Sequence, residues 1–231
     1  MPLLVLALVV IGGAAAVFMP GYLDRLRREL TRSDELALVA RQVGLAFAAT
    51  DPAYPGSTAF HHPFELFSRG VDQTCENFMT GIVDGVPIIV FDFLYRQLLD
   101  TDGDPGNDVR SEPIRHSCAI AAVPGDRPHV VIEPAAASRL TRADGEPVSL
   151  EWRDFNARYR VVSPERQFVP ALVDLDLMAW LVDAAPALPL TWEVQRDEIL
   201  CRAPSLATAQ IRELVRAVAS FAKRIGHAAR S

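Results

Sequence analysis

The sequence predicts an α+β protein: an N-terminal transmembrane helix followed by one domain of mostly antiparallel sheet packed with helices. Three observations carry this. Runs rich in β-branched and aromatic residues are joined by tight-turn dipeptides, which is the hairpin pattern. Stretches with helical spacing of apolar residues stand between blocks of strands and do not alternate with single strands, which argues against a doubly wound parallel sheet. The chain also opens on Leu3 to Met19, a run with no charged residue.

As a helix that run rises about 25 Å, slightly short of the ~30 Å hydrocarbon core, so it is a short span with Leu3, Leu6, Val10, Val17 and Met19 facing lipid. The rival reading is a secretory signal cut near Ala14-Ala15-Ala16, but no Lys or Arg precedes the apolar run to form a basic leader. A helix buried in the soluble core is the third reading, and core helices seldom stay apolar on every face. Arg25, Arg27, Arg28 and Arg32 follow the run closely, which places the carboxy-terminal side in the cytoplasm and sets Arg25, Arg27 and Arg28 at lipid-headgroup depth. The expected organisation is an anchor over 1–20, a juxtamembrane helix over 21–32 and a soluble α+β domain over 33–231.

From Ser33, Leu36, Val39, Ala40, Val43 and Phe47 recur at helical spacing, with Asp34 and Glu35 suited to the first turn. A Pro- and Gly-punctuated loop follows to about His62, and an irregular stretch over 63–70 leads into the β region. Asn77–Val83 and Val86–Tyr95 form a hairpin across Asp84-Gly85, the dipeptide of type I′ turns. Ile114–Val123 and His129–Glu133 read as two more strands separated by a turn over 124–128. After a polar loop over 139–147, the segment 150–162 ends in a strand. Phe168, Leu172, Leu175, Ala179 and Val182 then return to helical spacing, followed by a hairpin across Gln195-Arg196-Asp197. A final helix carries Ile211, Leu214, Val215, Val218, Ala222 and Ile225 on one face.

Ala40-Arg41-Gln42-Val43-Gly44, the run from Asn77 to Gly85 continuing into Val90–Tyr95, and Phe155–Ser163 before a helix over 172–181 stand in a distinctive order. In that order and spacing the chain resembles a family of bacterial membrane-anchored proteins defined as a domain of unknown function. Usual members carry an acidic residue shortly after the Val-x-Ser pattern, and here Pro164-Glu165 occupies that neighbourhood. The resemblance implies this fold and topology; it implies no reaction and no catalytic residue.

The chain has 231 residues, half of them hydrophobic, and a net charge of −6. That charge, with no basic block interleaved with aromatics, excludes a nucleic-acid surface. Cys75, Cys118 and Cys201 lie far apart without CxxC spacing, which fits a reducing compartment and neither a disulfide framework nor a zinc knuckle. Asp100, Asp102, Asp104 and Asp108 take positions 1, 3, 5 and 9 of a calcium loop, but Pro105 and Ser111 stand where Gly and a bidentate Glu are needed. His61-His62 precede a proline and point apart as neighbours in a loop. His116 and Cys118, two apart on a strand, face the same way, as a thiolate and its base would; Asp92 points to the other side of its own strand, towards solvent. Phe91, Phe93 and Tyr95 share one strand face and read as core, or with Trp152, Phe155 and Tyr159 as an apolar groove. No phosphate loop, GxSxG elbow, HExxH helix or dinucleotide fingerprint occurs, so the sequence leans away from an enzyme.

The expected function is a single-pass, membrane-tethered, non-catalytic module at the cytoplasmic side of the cell membrane. Its partners are membrane lipid, through the N-terminal helix, and a protein of a neighbouring membrane complex, with no cofactor, metal or nucleic acid. The alternative is an enzyme or small-ligand binder with a pocket between sheet and helices, for which Asp92, His116 and Cys118 would have to converge.

Overall fold

The computed structural model describes residues 28, 31–50, 63–99, 109–110, 112–137 and 145–228. The anchor residues Leu3, Leu6, Val10, Val17 and Met19, the arginines Arg25 and Arg27, the loop around His61-His62 and the acidic loop at Asp100–Asp108 lie outside these. No described helix is long and apolar enough to cross a membrane.

The first helix, α1, covers residues 31–43 and buries Leu36, Val39 and Ala40. The boundary expected between 32 and 33 therefore falls inside a helix. Gly44 ends it at φ +77°, and the Leu45 amide returns to the Ala40 carbonyl at 2.9 Å, a left-handed cap that satisfies a terminal carbonyl. Phe47, read as the last position of the helical stripe, lies instead in strand β1, Ala46–Ala48, opposite Met79.

A 3-10 turn, Glu65–Ser68, precedes β2, Val71–Val83, and β3, Val86–Arg96. These pair across Asp84 and Gly85, both at positive φ (53° and 82°), so the predicted hairpin is present. β2 extends well upstream of Asn77 and is irregular. Its register shifts between Val71 and Thr74 and between Glu76 and Met79, and Asp72 and Asn77 adopt positive φ within it, as β-bulges do. The short pair β4, Leu98–Leu99, and β5, Val109–Arg110, follows, then β6, Ile114–Ala122, and β7, Val130–Pro134. Next come β8, Glu146–Val148, α2, Arg153–Arg158, and β9, Tyr159–Ser163. The chain closes with α3, Val169–Leu172, α4, Leu175–Asp183, β10, Thr191–Gln195, β11, Glu198–Pro204, and α5, Ile211–Ala228.

The main sheet is antiparallel and nine-stranded, in the order β1-β2-β3-β6-β11-β10-β7-β9-β8. β6 and β7 are not neighbours: the β10–β11 hairpin is inserted between them. The loop that separates them bonds to the tip of that hairpin, through Val123 N to Asp197 O at 2.7 Å and Arg196 N to Arg127 O at 3.0 Å. Arg127 donates to the Val123 and Pro124 carbonyls, both at 3.0 Å, so its guanidinium fills the turn read as a simple strand connection.

One face of the sheet is covered by helices. Ile88, Val90, Ala119, Ile132, Val161, Val194 and Ile199 pack there against α1, α4 and α5, and Trp192 stacks on Phe221 at 4.3 Å. The stripe of α5 is buried as its spacing predicts. The stripe around α4 is not: Phe168 and Leu175 are 50% and 69% exposed, while Leu177, Met178, Trp180 and Leu181 are buried. The chain breaks at Val173, and α4 starts afresh at Asp174, whose side chain accepts from the Leu177 amide at 2.8 Å; the new cap resets the helical phase. The other sheet face carries Phe78, Phe91, Phe93, Tyr95, Cys118, Ile120 and Leu200, covered by Phe64, Leu66 and Phe67 of the 3-10 turn and the residue before it. Trp152, Phe155 and Tyr159 belong to the helix-covered core, so they do not form one groove with Phe91, Phe93 and Tyr95.

Gly70 sets the angle at which the 3-10 turn enters β2. At φ +66°, a Cβ there would stand 2.3 Å from the Arg96 carbonyl oxygen and 2.5 Å from the Tyr95 ring. Gly70→Ala is expected to cost about 3 kcal/mol through backbone clash. Gly85→Ala, at a turn with nothing nearby, is expected to cost about 1 kcal/mol from left-handed strain alone. Urea unfolding of the two variants checks the difference.

Candidate functional site

Asp92 lies at the middle of the sheet's inner strands, opposite Ser117 on β6, and is 2% exposed. The expectation that it faces solvent is therefore wrong: both faces of the sheet are covered, and the side of β3 opposite the aromatic run is closed by α1. Arg32 of α1 reaches it in a two-pronged ion pair, Nε to Oδ2 and Nη2 to Oδ1, both at 2.8 Å. Asn77 Nδ2 donates to Oδ2 at 3.1 Å and Ser117 Oγ to Oδ1 at 3.3 Å. The carboxylate thus accepts four hydrogen bonds, which fills its lone-pair capacity and leaves none for a ligand.

The remaining polar atoms are also used. Arg32 Nη1 donates to the Leu206 carbonyl at 2.8 Å, Arg32 Nη2 to Ser117 Oγ at 3.3 Å, and the Leu206 amide to Ser117 Oγ at 3.2 Å. The bulge at Asn77, with φ 60°, turns its amide towards Asp92. The network is a clamp that binds α1 to β2, β3, β6 and the loop after β11. Arg32, counted in the sequence among the basic residues that orient a membrane anchor, is half of this buried pair. Arg28 is helical and exposed.

His116 and Cys118 share the opposite face of the sheet, as their spacing predicts, so Asp92 does not join them. The Cys118 thiol is fully buried among Phe91, Phe93 and Ile120, and that burial pushes its pKa well up, which leaves a protonated, inert thiol. His116 stacks on Tyr95 with ring centroids 5.9 Å apart. Burial, then the charges of Arg202 and Arg69, bring its pKa down from 6.5 to about 4. Asp92, His116 and Cys118 consequently form no catalytic set, and among the described residues no group of three or more His, Cys, Asp or Glu side chains is placed to hold a metal ion. Cys118 and Cys201 are both buried free thiols.

A polar cluster that sequence reasoning did not single out occupies the same face as His116, further across the sheet. Arg202 of β11 lies opposite Cys118 and Thr191. Glu193 of β10 lies opposite Leu200, is 2% exposed, and accepts from His129 Nε2 at 2.9 Å and from the Glu65 amide at 3.2 Å. Arg69 donates to Glu65 at 2.7 Å, and Arg160 to the fully buried Glu133 at 3.0 Å. Burial, then the like charge of Arg69, lowers the pKa of Arg202. The signal for this cluster was the alternation Thr191, Glu193, Gln195, which puts polar residues at period 2 on a strand whose other face is apolar.

Removing one partner from the clamp strands a buried charge. Asp92→Ala is expected to cost about 3 to 5 kcal/mol, whereas Arg32→Met with Asp92→Leu loses clearly less than the two single changes summed; a double-mutant cycle by chemical unfolding measures the coupling. His116 makes stability depend on pH in a defined direction. Between pH 6.5 and about 4 the unfolded chain takes up a proton that the native protein refuses, so stability falls as pH falls through that window, by about 3 kcal/mol in all. His116→Phe, which keeps the stack on Tyr95, is expected to flatten that slope in unfolding curves recorded from pH 7 to pH 4.

No family model matches the chain, and no curated protein does. Among solved structures, the crystal structure of the mycobacterial trehalose monomycolate transport factor A, TtfA, matches with a TM-score of 0.56, over 84% of this chain and 94% of that one, at 14% sequence identity. At that identity the likeness shows a shared α+β fold.

Proposed function

We propose that this chain is a membrane-tethered, non-catalytic accessory module, in the manner of the bacterial membrane-anchored family it resembles, and that its domain binds a protein of a membrane transport complex at the cytoplasmic surface. The observation that carries this reading is the Arg32–Asp92 clamp. The described helix α1 is tied into the sheet by a part-buried ion pair with 2.8 Å contacts. Held this way, α1 is part of the domain, so a tether attached to it would act on the whole domain, which suits an adaptor more than a freely diffusing enzyme. The inert Cys118 thiol and the saturated Asp92 carboxylate support the non-catalytic part, and the fold shared with a transport factor supports the transport setting.

Affinity capture of the full chain from membranes in a gentle detergent tests this. The wild-type chain is expected to enrich one stoichiometric protein partner, and Asp92→Ala, which loosens the domain and leaves residues 1–27 intact, is expected to lose it. Repeated recovery of the chain alone, or equal recovery of the partner by Asp92→Ala, would overturn the reading, the second because the anchor and not the domain would be the binding element.

A further inference from the structure

We infer that the outer face of α4 docks a basic amphipathic helix of a partner protein, which rests on the protein-binding role proposed above and names the surface and the chemistry involved. α4 runs Leu175-Asp176-Leu177-Met178-Ala179-Trp180-Leu181-Val182-Asp183, so it is apolar everywhere except at two aspartates. Leu177, Met178, Trp180 and Leu181 are buried. At about 100° per residue, Leu175, Ala179 and Val182 form a stripe on the side turned away from those four. Leu175 is 69% exposed, and Ala179 and Val182 are half-buried.

A helix apolar on every side belongs in an interior, and one held at a surface leaves a stripe without cover. Phe168, immediately before α3, is 50% exposed as well, so two of the four large hydrophobics exposed among the described residues stand on this short segment. With the chain helical through Leu172, Phe168 and Leu175 are parted by no more than about 17 Å, and a partner helix of about three turns is long enough to span both.

The charges beside the stripe select the partner. From Pro164 to Ala184 the acids are Glu165, Asp174, Asp176 and Asp183, and the one base is Arg166, which is paired with Glu146 at 2.8 Å. Helical spacing sets Asp176 and Asp183 along the same flank of the stripe. Of the bases on neighbouring elements, Arg158 of α2 donates to the Val182 carbonyl at 2.8 Å and Arg224 of α5 lies over the Trp180 ring at 4.9 Å, so both are engaged with α4 itself. Asp183 stands in the last turn, where the helix dipole disfavours a carboxylate, so the stability of α4 does not account for it. An acidic flank repels an anionic membrane surface, and two copies meeting through this face would bring the same carboxylates together. A helix that carries Lys or Arg beside apolar residues at i, i+3 and i+4 matches both the stripe and its flank.

Photo-crosslinking from α4 tests this. Leu175→p-benzoylphenylalanine in the full chain is irradiated in native membranes, and the linked peptide is sequenced by mass spectrometry. The expected product is a segment of another protein with net positive charge and apolar residues at helical spacing. Asp183→Lys suits the helix dipole better than the native residue, so α4 stays intact, and it is expected to lower the yield of that product about fivefold, the effect of reversing one rim charge. Ile82→p-benzoylphenylalanine, at an equally exposed position on β2, is expected to give none of it. Linkage to lipid, to a second copy of this chain or to a segment without net positive charge overturns the inference, as does an undiminished yield in Asp183→Lys. If affinity capture enriches a stoichiometric partner while position 175 gives no such product, the docking face falls and the proposed function stands; if neither finds a partner, both fall.

Discussion

A sheet of nine strands has two broad faces, and the inner strands of this one are covered on both. In β3 and β6 nearly every residue from Val90 to Tyr95 and from His116 to Ala121 is buried, whichever way it points. That double coverage governs the rest of the molecule. Any polar group on an inner strand loses water and has to be bonded by protein, since an unpaired buried polar group costs on the order of 1 to 3 kcal/mol. Asp92 meets the requirement in full, and the way it does so brings α1, the bulge of β2, β6 and the loop after β11 to a common point. A single ion pair thereby decides how the first helix sits on the domain.

The two faces answer the same requirement differently. Under α1, α4 and α5 the interior is almost wholly apolar, with the stacked Trp192 and Phe221 at its centre and Trp180 set edge-on at 5.9 Å. On the other face the cover described is a short 3-10 turn, and the sheet beneath it carries Glu133, Glu193, Arg202 and His116. Glu133 and Glu193 are bonded to Arg160 and His129, whereas Arg202 and the neutral His116 each keep a buried nitrogen without a partner among the described residues. The apolar face supplies cohesion, and the polar one supplies chemical specificity at the cost of orphaned atoms.

This division bears on function. A catalytic site needs a nucleophile, a base and a stabilising donor to meet at one point, and here the sheet itself keeps Asp92 apart from His116 and Cys118. Asp92 serves architecture on one side, and Cys118 is buried among aromatics on the other. What remains is a domain whose first helix is clamped firmly to its core and whose second face presents a half-open polar cluster.

Much of this was legible in the sequence. The Asp84-Gly85 turn, the β10–β11 hairpin and the stripe of α5 follow from local rules: left-handed turn residues, period-2 alternation and helical spacing each act over a few residues. The errors arose where distant parts decide. β6 and β7 read as adjacent strands because sequence order is the only guide to pairing, and only the assembled sheet shows a hairpin inserted between them. The stripe through Phe168 and Leu175 failed because a cap at Asp174 restarts the helix and turns its face. Asp92 read as exposed because alternation on one strand shows that two faces differ without showing that both are covered. By itself the sequence determined most of the longer strands and helices, the α+β class and the shared face of His116 and Cys118, all set by backbone geometry over neighbouring residues. Only the tertiary structure decided which polar groups come together, Arg32 with Asp92 and His129 with Glu193, because burial and pairing depend on strands and helices far apart in the chain.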